Sequence, residues 1–250
     1  MNKFLVLGGN SKLAKCFNNL FPENSLLLPK SQCDLTKPQI VEKKIKSFPH
    51  EYILNCAAIT DIELCEKDPS LCFKVNSTSL FDLDRICLKY SKKLINISSD
   101  YAVKPTNIYG WSKYFSEKFV SPRNLVIRTS FYCKESFLIN PLLRGKETNV
   151  YKNRFFNPIS INRLAIEIFK HRNLQGIKNF VSLKKMSFYS FSENFCKIFS
   201  LNKNLLKPVI YKNTKDKAFR PLSSYIKSDI RVDIKRDIMD FKLYLQKYDN

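Results

Sequence analysis

Apolar residues follow two rhythms in the first half of this chain. Lys3–Leu7, Ser25–Leu28, Tyr52–Cys56, Leu94–Ile97 and Asn124–Thr129 are short, nearly continuous apolar runs, the signature of strands buried on both faces. Between them apolar positions recur at helical spacing: Lys12 to Leu20, then Ile40, Ile45 and Phe48, then Leu71 through Phe73, Val75, Leu80, Leu83 and Ile86 to Leu88, and later Phe115 and Phe119. Strand and helix in alternation predict a doubly wound parallel sheet. After Thr129 the alternation weakens. Ile161–Phe169 and Ser190–Phe199 read as helices, Asn179–Leu183 as a late strand, and a last helix starts near Ile234. The expected class is α/β, a Rossmann-like doubly wound parallel sheet with a smaller mixed α/β lobe. Residues 1–133 form the dinucleotide-binding part with 161–184 returning to it, and 134–160 with 185–250 form the lobe.

The turn after the first strand carries chemistry. Gly8 takes the first position of a glycine motif, with Ser11 and Ala14 where the second and third glycines would stand. Strand, glycine turn and helix aim free N–H groups at a pyrophosphate, placing Gly8, Ser11, Lys12 and Leu13 at a cofactor. Ala14 is small enough for helix packing, whereas Ser11 adds a side chain where backbone must approach phosphate. No acidic residue ends the second strand. Lys30 stands there instead, which favours the 2′-phosphate of NADP(H) and leaves NAD(H) open. Asp34, next to Leu35, either caps the following helix or meets the adenine edge. Ala57, Ala58 and Thr60 follow the third strand, and small residues there leave room for a cofactor.

Composition changes this picture little. The chain has 250 residues and a formal charge of +21, but its cations are mostly lysine and are scattered, so a solvated surface is favoured over nucleic-acid binding. Eight cysteines without a CxxC pair read as thiols of a reducing cytoplasm. With two histidines in the chain, neither a metal site nor a histidine triad is expected. The opening apolar run is too short for a signal peptide and no later run reaches membrane-spanning length. A soluble, cytoplasmic protein without membrane insertion is the expectation.

The fourth strand ends in Ser98-Ser99, and Tyr109-Gly110-Trp111-Ser112-Lys113 follows about ten residues later. Tyr four residues before Lys is a weak motif, since Tyr114/Lys118 and Tyr211/Lys215 share it. Position selects the first pair, which alone follows a hydroxyl-ended strand within the alternating array. On a helix Lys113 shares a face with Tyr109. A neighbouring ammonium, and an oxidised nicotinamide, lower a phenol's pKa. Tyr109 then gives a proton to a carbonyl oxygen as hydride reaches its carbon, and Ser99 holds that oxygen. Strand alternation turns Ser98 the other way.

With these residues in place, the chain resembles an extended short-chain dehydrogenase/reductase, and within that group the dTDP-4-dehydrorhamnose reductase family of nucleotide-sugar 4-ketoreductases. The segments that carry the resemblance are Asn55-Cys56-Ala57-Ala58-Ile59-Thr60, Glu63 and Glu66, Val75-Asn76, Ile97 to Tyr101, Tyr109-Gly110-x-Ser112-Lys113, Arg128-Thr129-Ser130-Phe131, Asn157-Pro158 and Arg220-Pro221. The resemblance implies NAD(P)H-dependent reduction of a keto group on a nucleoside-diphosphate sugar for a bacterial surface polysaccharide, with Ser99, Tyr109 and Lys113 as the catalytic set. It also implies Thr129 and Phe131 beside the sugar, Phe131 replacing a family tryptophan, and Arg220 at the diphosphate. The segment from Tyr101 to Tyr109 is shorter than the family pattern. An epimerase or dehydratase of the same fold, a non-catalytic binding protein and a homodimer stay open.

Overall fold

The computed structural model describes residues 4–47, 49, 51–214 and 217–248. Lys3, Phe48, His50 and Lys215 therefore lie outside the described residues. Strands β1 (Phe4–Leu7), β2 (Ser25–Leu28), β3 (Tyr52–Asn55), β4 (Lys93–Ser99) and β5 (Leu125–Thr129) fall on the apolar runs. Between them lie α1 (Lys12–Leu20), α2 (Pro38–Ser47), α3 (Ile62–Lys67), α4 (Pro69–Phe73), α5 (Ser79–Lys89) and α6 (Ile108–Phe119). Beyond β5 come β6 (Phe131–Tyr132), α7 (Ile139–Leu143), β7 (Thr148–Tyr151), β8 (Phe155–Phe156), β9 (Ile159–Ser160), α8 (Ile161–Lys170) and β10 (Gly176–Asn179). The chain closes with β11 (Met186–Ser187), α9 (Phe188–Phe199), β12 (Leu206–Val209) and α10 (Ile234–Tyr248).

The central sheet has the order β10-β5-β4-β3-β1-β2, with β2, β1, β3 and β4 paired in parallel register. Alternation divides its buried side chains between two faces. Leu5, Leu7, Ile53 and Leu94 pack with Val41 and Ile45 of α2 and Leu80, Leu83 and Cys87 of α5. On the opposite face Phe4 stacks on Tyr52 and meets Phe17 of α1 and Phe169 of α8. Both faces are covered, as continuous apolar strands require. The chain divides into two compact units, Met1–Arg128 with Ala165–Lys178, and Thr129–Leu164 with Asn179–Asn250. In the second, Tyr132 packs edge-on against Phe191 and Phe241, and buried Asp237 accepts from the Ser160 hydroxyl and amide and from the Tyr132 hydroxyl.

Two expected elements differ. The late strand is Gly176–Asn179, not Asn179–Leu183. Phe180 and Val181 are fully buried without belonging to a strand, so their apolar character reports burial and not pairing. The helix expected from Leu71 to Leu88 is broken by a π-turn at Lys74–Thr78. That wider turn carries two buried polar residues, Asn76 and Ser77, and both bond to α6. Among the described residues no helix is long and apolar enough to cross a membrane.

Candidate active site

The three groups expected to do chemistry come together where β4 meets α6. Ser99 is the last residue of β4, and its hydroxyl accepts from the Tyr101 amide at 3.2 Å and donates to Asp100 Oδ1 at 2.9 Å. Asn107 caps α6 by accepting from the Gly110 amide at 2.8 Å, and Glu66 accepts from the Ile108 amide at 2.7 Å. These bonds fix the first turn of α6, which carries Tyr109. Gly110 sits close under this segment: a Cβ there would lie 3.0 Å from the Tyr101 carbonyl oxygen and 3.2 Å from Pro105 Cα, so a side chain would require that backbone to shift by a few tenths of an ångström. The short segment from Tyr101 to Tyr109 thus folds tightly over the helix start.

The Ser99 hydroxyl lies beside the Tyr109 phenol and acts on its titration. One turn along, Lys113 is buried, and its Nζ donates to the Ile97 carbonyl at 2.7 Å. Burial is the largest influence on both titrating groups. It pushes the Tyr109 phenol well above its ordinary value, the Ser99 hydroxyl opposing. It pushes Lys113 down to about 8, with Glu117 pulling upward. Ser98 faces away and donates to Glu117 Oε1.

The expected cofactor residues also take definite places. Gly8 has φ +72°, and a Cβ on it would come within 2.6 Å of the Ala57 amide nitrogen. Ser11 caps α1 by accepting from the Ala14 amide at 3.3 Å. Its hydroxyl opposes the burial that pushes the Cys56 thiol up to about 12. The helix it opens presents Lys12 exposed and Leu13 buried. Ala57 and Ala58 are half-buried and Thr60 is exposed. Lys30 is exposed and near Asp34. Asp34 does not cap α2. Its Oδ1 accepts from the Thr36 amide and hydroxyl; burial raises its pKa, but those bonds and the charges of Lys30 and Lys37 outweigh burial and hold it below the ordinary value. Leu35 beside it is buried. A glycine cradle that a Cβ would fill, a capped helix start and small residues after β3 fit a dinucleotide.

The family model described as RmlD substrate binding domain matches residues 1–248. The chain belongs to this family. The dTDP-4-dehydrorhamnose reductase of Aggregatibacter actinomycetemcomitans is 26% identical over 152 residues, 52% of each chain. That of Mycobacterium tuberculosis is 29% identical over 127 residues, 42% of this chain and 41% of that one. The chain therefore spans about half or less of these relatives' length in alignment. A dTDP-4-dehydrorhamnose reductase of Bacillus anthracis in complex with NADP shares the fold with a TM-score of 0.88 at 22% identity, over 98% of this chain and 100% of that one. The corresponding structure from Clostridium acetobutylicum has a TM-score of 0.87 at 20% identity, over 97% and 99%.

In this RmlD family chain the residues expected beside the sugar lie in the second unit. Thr129 is buried and its hydroxyl donates to the Phe180 carbonyl at 2.8 Å, so it holds backbone. Phe131 is exposed. Arg220 is half-buried, its amide donating to Asn213 Oδ1 and its Nη1 to the Ala218 carbonyl. Sequence reasoning gives Asn76 no role beyond the resemblance. Its side chain bonds both the amide and carbonyl of Ile59 and also donates to the Ser112 hydroxyl. Ser112 in turn donates to the Tyr109 carbonyl. Asn76 thus ties the loop after β3 to α6. A polar residue inside an apolar helical pattern is the one signal of this in the sequence.

Proposed function

We propose that this protein reduces a keto group on a nucleoside-diphosphate 6-deoxysugar, using NADPH in preference to NADH. The observation that carries the reading is Ser99 at the end of β4 beside the Tyr109 phenol, with buried Lys113 one turn on and held by the Ile97 carbonyl. The bound nicotinamide supplies a hydride to the carbonyl carbon. Tyr109 donates its proton to the carbonyl oxygen, and because burial keeps the phenol protonated, it starts as an acid at neutral pH. The Ser99 hydroxyl proton, held by Asp100 Oδ1, turns to the substrate oxygen. The Lys113 ammonium favours the phenolate that Tyr109 leaves behind. Phe131 offers a ring to the sugar and Arg220 a cation to the diphosphate. The free cysteines of the chain suit a reducing cytoplasm, where such a product feeds a surface polysaccharide.

The test is a panel of dTDP-, GDP- and CDP-4-keto-6-deoxysugars incubated with NADPH while reduced-cofactor absorbance is followed. Steady oxidation supports the reading. Sugar conversion without net oxidation makes the protein an epimerase or dehydratase, and cofactor binding without conversion a binding protein. Lys30→Ala is expected to weaken NADPH binding about tenfold, the loss of one exposed phosphate contact, and to leave NADH binding unchanged. Equal loss for both cofactors in calorimetry rejects Lys30 as a phosphate partner.

A homodimer belongs to the same proposal. Phe81 of α5 and Trp111, Phe115 and Phe119 of α6 are 38–47% exposed and join through ring contacts near 6 Å, Phe81 with Phe119 and Trp111 with Phe115. A face of this kind pairs with its own copy about a twofold axis. Phe115→Asp is expected to convert a dimer to a monomer in light scattering, and an unchanged mass removes this face from the assembly.

A further inference from the structure

Two neighbouring residues of β4 each hold one residue of α6. The Ile97 carbonyl accepts from Lys113 Nζ at 2.7 Å and the Ser98 hydroxyl donates to Glu117 Oε1 at 2.6 Å, while Ser99 lies beside the Tyr109 phenol. Tyr109, Lys113 and Glu117 stand four residues apart and so form one row along the helix. The first two have places in the reaction proposed above. Glu117 has none, yet it is only 5% exposed. Its carboxylate is fully engaged: Arg128 Nε donates to Oε1 at 2.9 Å and Arg128 Nη2 to Oε2 at 2.6 Å. Burying such a pair is costly, and apolar residues would join a helix to a strand at lower cost. That expense points to an electrostatic task.

The task follows from what faces Lys113. Glu117 lies one turn along the same helix, while the thiols of Cys56 after β3, Cys65 of α3 and Cys72 of α4 surround it from other elements. Glu117 is the carboxylate in this set, and Arg128 from β5 is the cation paired with it. We propose that Ser98, Glu117 and Arg128 are positioning residues that form a fixed negative pole behind Lys113 and keep its ammonium charged. The consequence for turnover rests on the reductase reading, but the titration of Lys113 itself does not.

The direction of each effect is set by charge. Glu117→Gln removes the attraction and leaves Arg128 facing the site, so Lys113 loses its proton at lower pH. Arg128→Gln leaves Glu117 unopposed, so Lys113 keeps its proton to higher pH. A merely mechanical clamp gives no such reversal, because both variants loosen the same contact between strand and helix. Burial pushes Lys113 down to about 8, so both displacements fall in an accessible range.

The experiment is an NMR titration of protein labelled at lysine 13Cε, the Lys113 signal being assigned by Lys113→Arg, with folding of each variant checked by circular dichroism. The midpoint is expected to fall by about one pH unit in Glu117→Gln and to rise in Arg128→Gln; Glu117→Asp, which keeps the charge, stays near wild type. If either neutral variant fails to fold, the other decides by its sign against Glu117→Asp. A wild-type midpoint in a folded neutral variant, or movement of both in one direction, overturns the proposal. Where turnover is found, its alkaline limb is expected to move with the NMR midpoint. Where the protein turns nothing over, the reductase reading fails while the titration still returns its own answer.

Discussion

Tyr109→Phe is expected to lower NADPH-linked turnover by roughly three orders of magnitude, the scale of a lost general acid. The substitution removes one oxygen and leaves the ring, which packs edge-on against Tyr101 at 6.1 Å. Ser99 keeps its bonds to Asp100 and the Tyr101 amide, and Asn107 still caps α6. The fold and the affinity for cofactor should therefore survive, and the loss should fall on kcat with KM little changed. Single-turnover absorbance measurements, paired with thermal melting, separate these quantities. A folded variant that keeps more than about a tenth of wild-type kcat would remove Tyr109 from the role of proton donor.

Gly8→Ala is expected to destabilise the free protein by about 3 kcal/mol and to abolish NADPH binding. Two costs coincide at this residue. Its φ of +72° is a conformation that L side chains enter with strain, and its Cβ would meet the backbone of Ala57 at 2.6 Å and 2.7 Å, where no flexible side chain is available to move aside. The turn after β1 would have to lift from the end of β3, displacing the start of α1. Gly145→Ala is the control, since Gly145 also has positive φ but no atom within 4 Å of the place its methyl would take, and its cost should stay near about 1 kcal/mol. Urea unfolding compares the two directly. Equal losses would mean that the approach of Gly8 to Ala57 relaxes freely and does not constrain the cofactor turn.

The strands were readable because β1 and β3 are apolar on both faces and flanked by turn residues, so length and composition sufficed to place them. Gly8 was readable for a related reason, since a tight strand-to-helix turn announces itself locally. The late strand was misplaced because Phe180 and Val181 are buried by tertiary packing outside a ladder, and apolar character cannot separate the two cases. Thr129, expected beside the sugar, holds the Phe180 carbonyl, and Asp34, left between helix cap and adenine edge, holds the Thr36 amide, contacts that depend on neighbours rather than residue type.

The catalytic helix divides in the same way. Sequence alone determined that Tyr109 and Lys113 share a helical face and that Ser98 and Ser99 point opposite ways, because helix and strand periods are properties of the local backbone. Only the tertiary structure decided what those side chains meet. Ser98 finds Glu117 across 19 residues, Glu117 finds Arg128 across 11, and Asn76 finds Ser112 across 36. It also brought burial to bear on Tyr109, whose phenol is raised by lost hydration. Hydration and long-range charge are set by what folds against a residue, and no local pattern encodes the distance at which that happens.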